Sequence, residues 1–315
     1  MVRRGELTDE AWAVIAPLLP EPGGARGRWR DHRQVINGIL WKLRTGAPWH
    51  DLPERFGPWK TCHERLRRWT ADGTWDRVLA AAQVHDDGTP VQWTISIDSS
   101  IVRAHQHAAG ARKKGGSPTS PATPGAQDGE AIGRSRGGLS TKIHLAVDGR
   151  GRPLSILLTP GQAGDNPQLL ALLDAICVNE PRPGRPRKRP EVLIADKGYA
   201  HDSTRRALRH RGVRHVIPER SDQVARRAAK GSAGGRPPAF DKVIYRKRNV
   251  VERCFNRFKQ WRDLATRYAK RASLYRASLF LIAAVIWLPC STGQALARRR
   301  GERPSRSREC DANTG

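Results

Sequence analysis

The sequence lacks closely spaced cysteines and has no long apolar run. Its five cysteines are odd in number and scattered over 315 residues, so neither a disulfide framework nor a zinc site is expected, and a reducing cytosol fits. The longest apolar stretch, residues 279–288, is about half the ~20 residues that a membrane span requires, and it predicts a buried helix. No apolar segment typical of a secretion signal stands at the N-terminus.

Acidic side chains are also scarce relative to basic ones. There are 57 Lys and Arg residues against 30 Asp and Glu, a formal net charge of +27. A soluble protein with this charge favours a polyanionic partner. On charge alone, nucleic acid, an acidic membrane surface and a heparin-like polymer all remain possible.

One of the few acids lies in a strongly basic segment, residues 245–259, YRKRNVVERCFNRFK. At a helical period Tyr245, Arg248, Glu252 and Lys259 fall on one side of a helix, and an apolar stripe on the other side suits packing on a sheet. The simple use for Glu252 is an ion pair with Arg248, four residues earlier. The alternative is that its carboxylate works together with acids elsewhere in the chain.

Two such acids stand at the ends of strand-like runs. Asp98 ends the alternating stretch WTISID, and Asp196 follows the continuous apolar run at residues 192–195, which is typical of a strand buried on both faces. Together with Glu252 they offer the carboxylate oxygens that magnesium prefers. Two such ions about 3.5–4 Å apart stabilise both the attacking and the leaving oxygen of a phosphoryl displacement.

The order and spacing of these residues resemble a known family. The pattern Tyr245, two residues, Arg248, three residues, Glu252, six residues, Lys259 matches the signature around the last acid of bacterial insertion-sequence transposases with a DDE triad. Four blocks resemble the insertion sequence five family in particular and cover roughly residues 5 to 290. They are LTDEAWAVIAPLLP through GAPWHDLPERFGPWKTCHERLRRW, IDSSIVRAHQHAAGARKKG, IGRSRGGLSTKIHLAVDGRGRPL and VLIADKGYAHD.

The resemblance implies both a fold and a function. The fold is α/β, a ribonuclease-H-like mixed sheet with flanking helices, preceded by a small all-α helix-turn-helix-like domain. Asp98, Asp196 and Glu252 are implied as the catalytic triad and as ligands of Mg²⁺ or Mn²⁺, two ions in all. The implied protein is a cytoplasmic, nucleoid-associated bacterial enzyme that needs no small-molecule cofactor and no membrane.

The implied partner is double-stranded DNA, both the terminal inverted repeats of an element and its target. Because two element ends must be joined, a homodimer or larger assembly on DNA is expected. Two other functions stay open, a decayed transposase that acts only as a DNA-binding repressor, and a nuclease without strand transfer. The complete triad argues against the repressor.

The chain length suits two domains. We predict a helical DNA-binding domain at residues 1–85, the catalytic domain at 86–290 and a basic, disordered tail at 291–315. In the first, a turn at 45–57 separates two helices, the second of them basic, an arrangement that places a recognition helix in the DNA major groove. The alternative is a small helical bundle whose basic face is merely solvated. The predicted DNA contacts are Lys60, Arg65 and Arg68 in this domain and Lys197, Tyr245, Arg248 and Lys259 near the acids.

Other polar residues have simpler explanations. Asp148 stands in a hairpin signal, Asp-Gly between apolar runs, and Asp165 is predicted to be the N-cap of the next helix. His105 and His107 lack further ligands at a matching spacing, so a zinc site is not expected there. Residues 219–241 are basic and rich in Gly and Pro, and are predicted to be disordered without a ligand.

Overall fold

The computed structural model describes residues 5–21, 29–84, 90–109, 129–179 and 184–288. The strands in these ranges are β1 (Thr94–Arg103), β2 (Gly133–Ser135), β3 (Gly138–Val147), β4 (Pro153–Pro160), β5 (Val192–Ala195) and β6 (Arg214–Val216). The helices are α1 (Asp9–Ile15), α2 (His32–Thr45), α3 (Trp59–Ala71), α4 (Thr74–Val84), α5 (Gln106–Ala109), α6 (Gln168–Asp174), α7 (Asp202–His210), α8 (Ser221–Ala229), α9 (Lys242–Arg246), α10 (Asn249–Lys259), α11 (Arg262–Ala265) and α12 (Ala272–Trp287).

The strands form one six-stranded mixed sheet. β3 pairs antiparallel with both β1 and β4, whereas β5 runs parallel to β1 and β6 parallel to β5. The short strand β2 pairs with the start of β3. With helices packed against the sheet and a helical N-terminal region, this confirms the predicted α/β fold, a mixed sheet with flanking helices.

The β3–β4 hairpin closes around Asp148, as predicted. Its buried carboxylate accepts hydrogen bonds from the backbone N–H groups of Arg150 and Arg152, at 3.0 and 2.8 Å, and from the Arg152 guanidinium at 2.8 and 2.9 Å. Gly151 turns the chain at a φ of +79°, where a Cβ atom would lie 2.9 Å from the carbonyl oxygen of Val250. The tight turn therefore lets α10 approach the sheet closely.

The N-terminal helices begin and end at capping residues. The Thr8 hydroxyl accepts a hydrogen bond from the N–H of Ala11 at the start of α1, and the Asp31 carboxylate accepts one from Gln34 at the start of α2. Gly46, in the left-handed conformation, ends α2. The connection to α3 contains two short 3-10 turns, Trp49–Asp51 and Glu54–Phe56.

These helices share one hydrophobic core with the rest of the described chain. α3 and α4 pack on α12, and α2 packs on α11. A buried ion pair joins Lys42 of α2 to Asp263 of α11, and Arg276 of α12 donates to Asp76 of α4 at 2.6 Å. The division at residue 85 stays a prediction, and the predicted tail at 291–315 lies outside the described residues.

α12 is the buried helix that the apolar run predicted, since most of its side chains are inaccessible to solvent. Its length and apolar character fall short of what a bilayer would demand, and the same holds for every other helix in the described ranges.

The predictions for residues 219–241 and for Asp165 are wrong. Residues 219–241 contain α8 and a 3-10 turn, because Asp222 pairs with Arg226 at 2.5 Å across one helical turn and Gln223 accepts from the backbone N–H of Arg220. Asp165 is not the N-cap of α6, which begins after Pro167 without a side-chain cap. Its carboxylate is held instead by residues of the sheet.

Candidate active site

Sheet topology brings Asp98 and Asp196 together. β1 and β5 are parallel neighbours in which Ile97 pairs with Ala195, so the two acids occupy the next position on each strand. The backbone N–H of Ser99 donates to Asp98 Oδ1 at 2.8 Å. The N–H of Gly198 donates to Asp196 Oδ1 at 2.8 Å, which orients that carboxylate at the end of β5.

Arg248 connects Glu252 to this pair of strands. Its Nη1 donates to Asp98 Oδ2 at 3.0 Å, and its Nη2 donates to Glu252 Oε1. α10 packs against β1 and β3, which presents Glu252 from the first turn of the helix. Arg248 itself stands at the junction of α9 and α10, so the basic segment is two helices rather than the single one expected.

Burial and charge set the ionisation of this cluster. Burial raises the pKa of Asp98, the Ser99 N–H and Arg248 lower it, and the negative charge of Asp196 raises it. Burial alone lowers the pKa of Arg248, but the charges of Asp98 and Glu252 outweigh this effect, and the pKa is raised. The guanidinium is therefore a permanent positive charge between two carboxylates.

The cluster fits divalent metal ions by its chemistry. Asp98, Asp196 and Glu252 offer the hard oxygen donors that Mg²⁺ and Mn²⁺ take. Among the residues that the structure describes, no group of three or more His, Cys, Asp or Glu side chains is arranged so that it could hold a metal ion. Arg248 satisfies two of the three carboxylates instead, so these acids can hold an ion once the guanidinium releases them.

The other predicted contacts near the acids are at or close to the surface. Lys197 follows Asp196 directly and is exposed, and Lys259 is exposed at the end of α10. Tyr245 is partly buried, with its ring 5.1 Å from that of Phe240 and 6.0 Å from the Arg248 guanidinium. His105 stacks between Tyr268 and His107.

The three residues predicted on α3 have different environments. Lys60 and Arg68 are exposed on the helix surface. Arg65 is 8% exposed, and its guanidinium lies 3.4 Å from the centre of the Trp29 ring. Because this stacking buries its charged group, Arg65 contributes to the packing of the helical unit, and only Lys60 and Arg68 present charge to a ligand.

A polar network behind Asp98 was missed from the sequence. Asp165 accepts from the Ser99 hydroxyl at 2.7 Å and from Lys142 Nζ at 3.0 Å. His144 is fully buried, with Nε2 2.8 Å from the Thr159 hydroxyl, and burial lowers its pKa to about 4. The available signal was the alternation of Lys142 and His144 with the apolar residues Ile143 and Leu145 in strand β3.

Tyr199 adds a second buried polar group to this region. Its hydroxyl is inaccessible to solvent and has no hydrogen-bond partner of good geometry within the described residues. Burial raises its pKa, and the nearby charges of Asp165, Asp98 and Asp196 raise it further. Tyr199 therefore stays neutral beside the acids.

The sequence is similar to known families and proteins. Residues 7–79 match the family described as "Putative transposase of IS4/5 family", and residues 89–287 match the family "Transposase DDE domain". The chain is 35% identical over 172 residues to the "Putative transposase for insertion sequence element IS402" of Burkholderia cepacia, covering 55% of this chain and 67% of that protein. It is 30% identical over 154 residues to the "Putative transposase for insertion sequence element IS6501" of Brucella ovis, covering 48% of this chain and 99% of that one.

Among solved structures, a pre-cleavage Mos1 transpososome is similar at 13% identity and a TM-score of 0.25, over 91% of this chain and 83% of the other. A likeness of that size carries no argument about this protein. The two family matches instead span the helical region and the whole mixed sheet, and the second covers more than half of the sequence. The chain therefore belongs to the transposases with a DDE domain, and its N-terminal region to the insertion sequence 4/5 group.

Proposed function

We propose that this protein is a DNA transposase that binds the terminal inverted repeats of an insertion sequence and catalyses metal-dependent phosphodiester cleavage and strand transfer. The observation that carries the proposal is the meeting of Asp98, Asp196 and Glu252. Two lie in register on parallel strands, and the third is linked to them through Arg248. Asp98 and Glu252 are more than 150 positions apart in the sequence, yet Arg248 pairs with both carboxylates at a partly exposed end of the sheet.

In this proposal Asp98, Asp196 and Glu252 hold Mg²⁺ or Mn²⁺ ions. When bound, the two ions stabilise the attacking and the leaving oxygens of an in-line displacement at phosphorus. The residues of the chain do the rest. Ser99 and Gly198 orient two of the carboxylates through their backbone N–H groups, and Lys197 and Lys259 offer positive charge to the phosphates on either side.

Arg248 has a further role in the same proposal. It neutralises Asp98 and Glu252 while no ion is bound, which limits the repulsion among the three acids. With metal ions held by the three acids, the Arg248 guanidinium would be available to bind a DNA phosphate. Tyr245, whose ring lies beside it, limits the directions in which the side chain can move.

The chemistry requires no energy cofactor. Water cleaves the phosphodiester at the end of the element and leaves a 3′-hydroxyl. That hydroxyl then attacks a phosphodiester of the target, so that one bond to phosphorus forms as another breaks. Because two ends are joined to one target, the acting form is a homodimer or a larger assembly.

End recognition is assigned to α3, where Lys60 and Arg68 are exposed. The Lys42–Asp263 and Asp76–Arg276 pairs hold this helical unit against α11 and α12. The DNA bound by α3 is therefore presented to the acids in one fixed direction, which selects the phosphodiester that is cut.

One assay separates this function from its alternatives. The protein is incubated with labelled end DNA, unlabelled target DNA and Mg²⁺, and the products are resolved by size. Joined products support transposition, cut products alone indicate a nuclease without strand transfer, and bound DNA alone indicates a repressor.

Carboxamide variants test the assigned acids in that assay. Asp98→Asn, Asp196→Asn and Glu252→Gln should each abolish cutting and leave end binding nearly intact, because the side chain keeps its shape but loses the charge that holds an ion. Glu191→Gln is the matched control, since Glu191 is an exposed carboxylate just before β5 that pairs with Arg187. Near-parental cleavage by any triad variant would remove that residue from the site.

A further inference from the structure

A basic cleft lies next to the acids, and the site described above does not use it. Its walls come from α7, α8 and the segment that follows α8, and its volume is about 450 Å³, within the ~300–1,000 Å³ of ordinary ligand sites. Six of its lining residues are basic and two are acidic. The basic ones, which define the basic cleft, are Arg205, Arg220, Arg226, Arg227, Lys230 and Arg236.

Internal contacts fix the walls of the basic cleft. Arg205 is buried and donates to the carbonyl oxygens of Ile217 and Pro218, at 2.8 and 3.3 Å. Arg227 pairs with Glu219, and both side chains are about four-fifths buried. These two arginines therefore serve as structure and leave little charge to share.

The other four cations together carry a net positive charge. Arg220 and Arg226 share the single carboxylate of Asp222, at 2.9 and 2.5 Å, so one positive charge remains uncompensated. Lys230 and Arg236 are exposed, and neither forms an ion pair with any of the described residues. Clustered charge of one sign destabilises the folded chain by self-repulsion, and an anionic ligand removes that cost.

The basic cleft is continuous with the candidate active site. Arg220 also borders a second depression, which contains Asp196, Lys197 and Gly198. The Gln223 side chain of α8 donates to the carbonyl oxygen of Ala200, just beyond the turn that carries Asp196. The position of the cleft relative to Asp196 is therefore held by a direct contact.

We propose that the basic cleft binds the phosphodiester backbone of the DNA strand that continues past the scissile phosphate, with Lys230 and Arg236 as phosphate contacts. This inference rests on the proposed function. Lys230 and Arg236 are both exposed, which suits contact with a chain of phosphates. The same chemistry is presented by the DNA that flanks an element end and by target DNA.

The test measures binding by the full chain at several salt concentrations. The probes are an end duplex that stops at the cleavage site, the same duplex extended by flanking DNA, and a target duplex without end sequence. Lys230→Ala, Arg236→Ala and the double variant are compared with the parent. Arg209→Ala is the matched control, because Arg209 is an exposed cation on α7 that does not line the cleft.

For the double variant we expect the slope of log affinity against log salt to fall by about 1.8, since each neutralised phosphate contributes ~0.9. Affinity at ~0.1 M salt should fall roughly tenfold for each cation. The loss should appear with the extended end duplex or with the target duplex, and not with the duplex that stops at the cleavage site. Whichever of the two longer probes responds identifies the source of the bound strand, and Lys230→Arg should restore binding.

Three results would overturn the inference. One is a double variant that binds every probe like Arg209→Ala, another is an equal loss on all three probes, and the third is a parent chain that binds none of them. If the parent cuts and joins DNA but the double variant binds DNA like Arg209→Ala, only the proposal for the basic cleft is refuted. Conversely, if DNA binding depends on Lys230 and Arg236 but no DNA is cleaved, the proposed catalysis is refuted and the proposal for the basic cleft is retained.

Discussion

Replacing Lys42 by Met tests whether the N-terminal helices and the sheet domain are one folding unit. Lys42 and Asp263 form an ion pair between α2 and α11 whose side chains are 9% and 6% exposed. Removing one partner of such a pair leaves a buried charge without compensation, which costs about 3–5 kcal/mol. The free energy of unfolding should fall by that amount, a large part of the ~5–15 kcal/mol of a typical domain.

The pH dependence supplies a second signature of the same pair. Burial raises the pKa of Asp263, and the charge of Lys42 lowers it. Without Lys42 the pKa rises further, so Asp263 is protonated, and no longer a buried charge, over a wider range. When the pKa of an acid is higher in the folded than in the unfolded state, the free energy of unfolding falls as the pH rises through the folded-state pKa. The deficit of Lys42→Met should therefore be small near pH ~4, the ordinary range of aspartate, and grow toward neutrality.

Urea unfolding of the full chain, followed by tryptophan fluorescence, measures these effects. Trp49 reports on the site directly, since Lys42 Nζ lies 5.4 Å from its ring centre. Lys60→Met removes an exposed lysine from α3 and should change stability by no more than about 0.5 kcal/mol. The double variant Lys42→Met/Asp263→Leu should recover most of the loss, because no buried charge remains. A loss below about 1 kcal/mol in the single variant, or no recovery in the double, would refute the reasoning.

Three further predictions concern the sheet and the end of α10. Burial lowers the pKa of His144 to about 4. The free energy of unfolding should therefore fall by about 3 kcal/mol as the pH drops from ~6.5 toward 4, at ~1.36 kcal/mol per pH unit. Urea titrations of His144→Gln should show a weaker pH dependence over this interval. Gly151→Ala should destabilise by about 1–3 kcal/mol, measured by thermal unfolding, because its φ is +79° and the new Cβ would press on the Val250 carbonyl. Lys259→Ala should reduce single-turnover cleavage by more than it reduces DNA affinity, because the lysine orients the scissile end.

Each of these three predictions has a control variant or an outcome that would contradict it. Gly137→Ala, at a glycine with no atom within 4 Å of a built Cβ, should be tolerated where Gly151→Ala is not. An unaltered pH profile for His144→Gln would show that folding does not change the pKa of this imidazole. Equal losses of binding and cleavage in Lys259→Ala would reduce the lysine to a general phosphate contact, and no change in either would make it surface charge.

Local patterns in the sequence determined much of the framework. The apolar run before Asp196 and the alternation before Asp98 predicted two strands that end at acids, because a strand imposes its two-residue period on whichever side chains must be buried. Asp148 and Gly149 predicted the hairpin, because Asp-Gly between apolar runs is typical of a tight turn. The spacing of Arg248 and Glu252 likewise anticipated their contact across one helical turn.

The tertiary structure decided everything that depends on distant partners. Parallel pairing of β1 with β5 joins segments almost a hundred residues apart, and no local pattern records which strands are neighbours. The charge of Arg65 predicted a DNA contact like those of Lys60 and Arg68, but in the structure its guanidinium packs on the Trp29 ring. The position of Asp165 predicted a helix cap, but its carboxylate instead pairs with Lys142 and accepts a hydrogen bond from the Ser99 hydroxyl. The sequence thus named the acids, whereas their meeting required the sheet order and Arg248, because a side chain's partners are set by the packing of the whole chain.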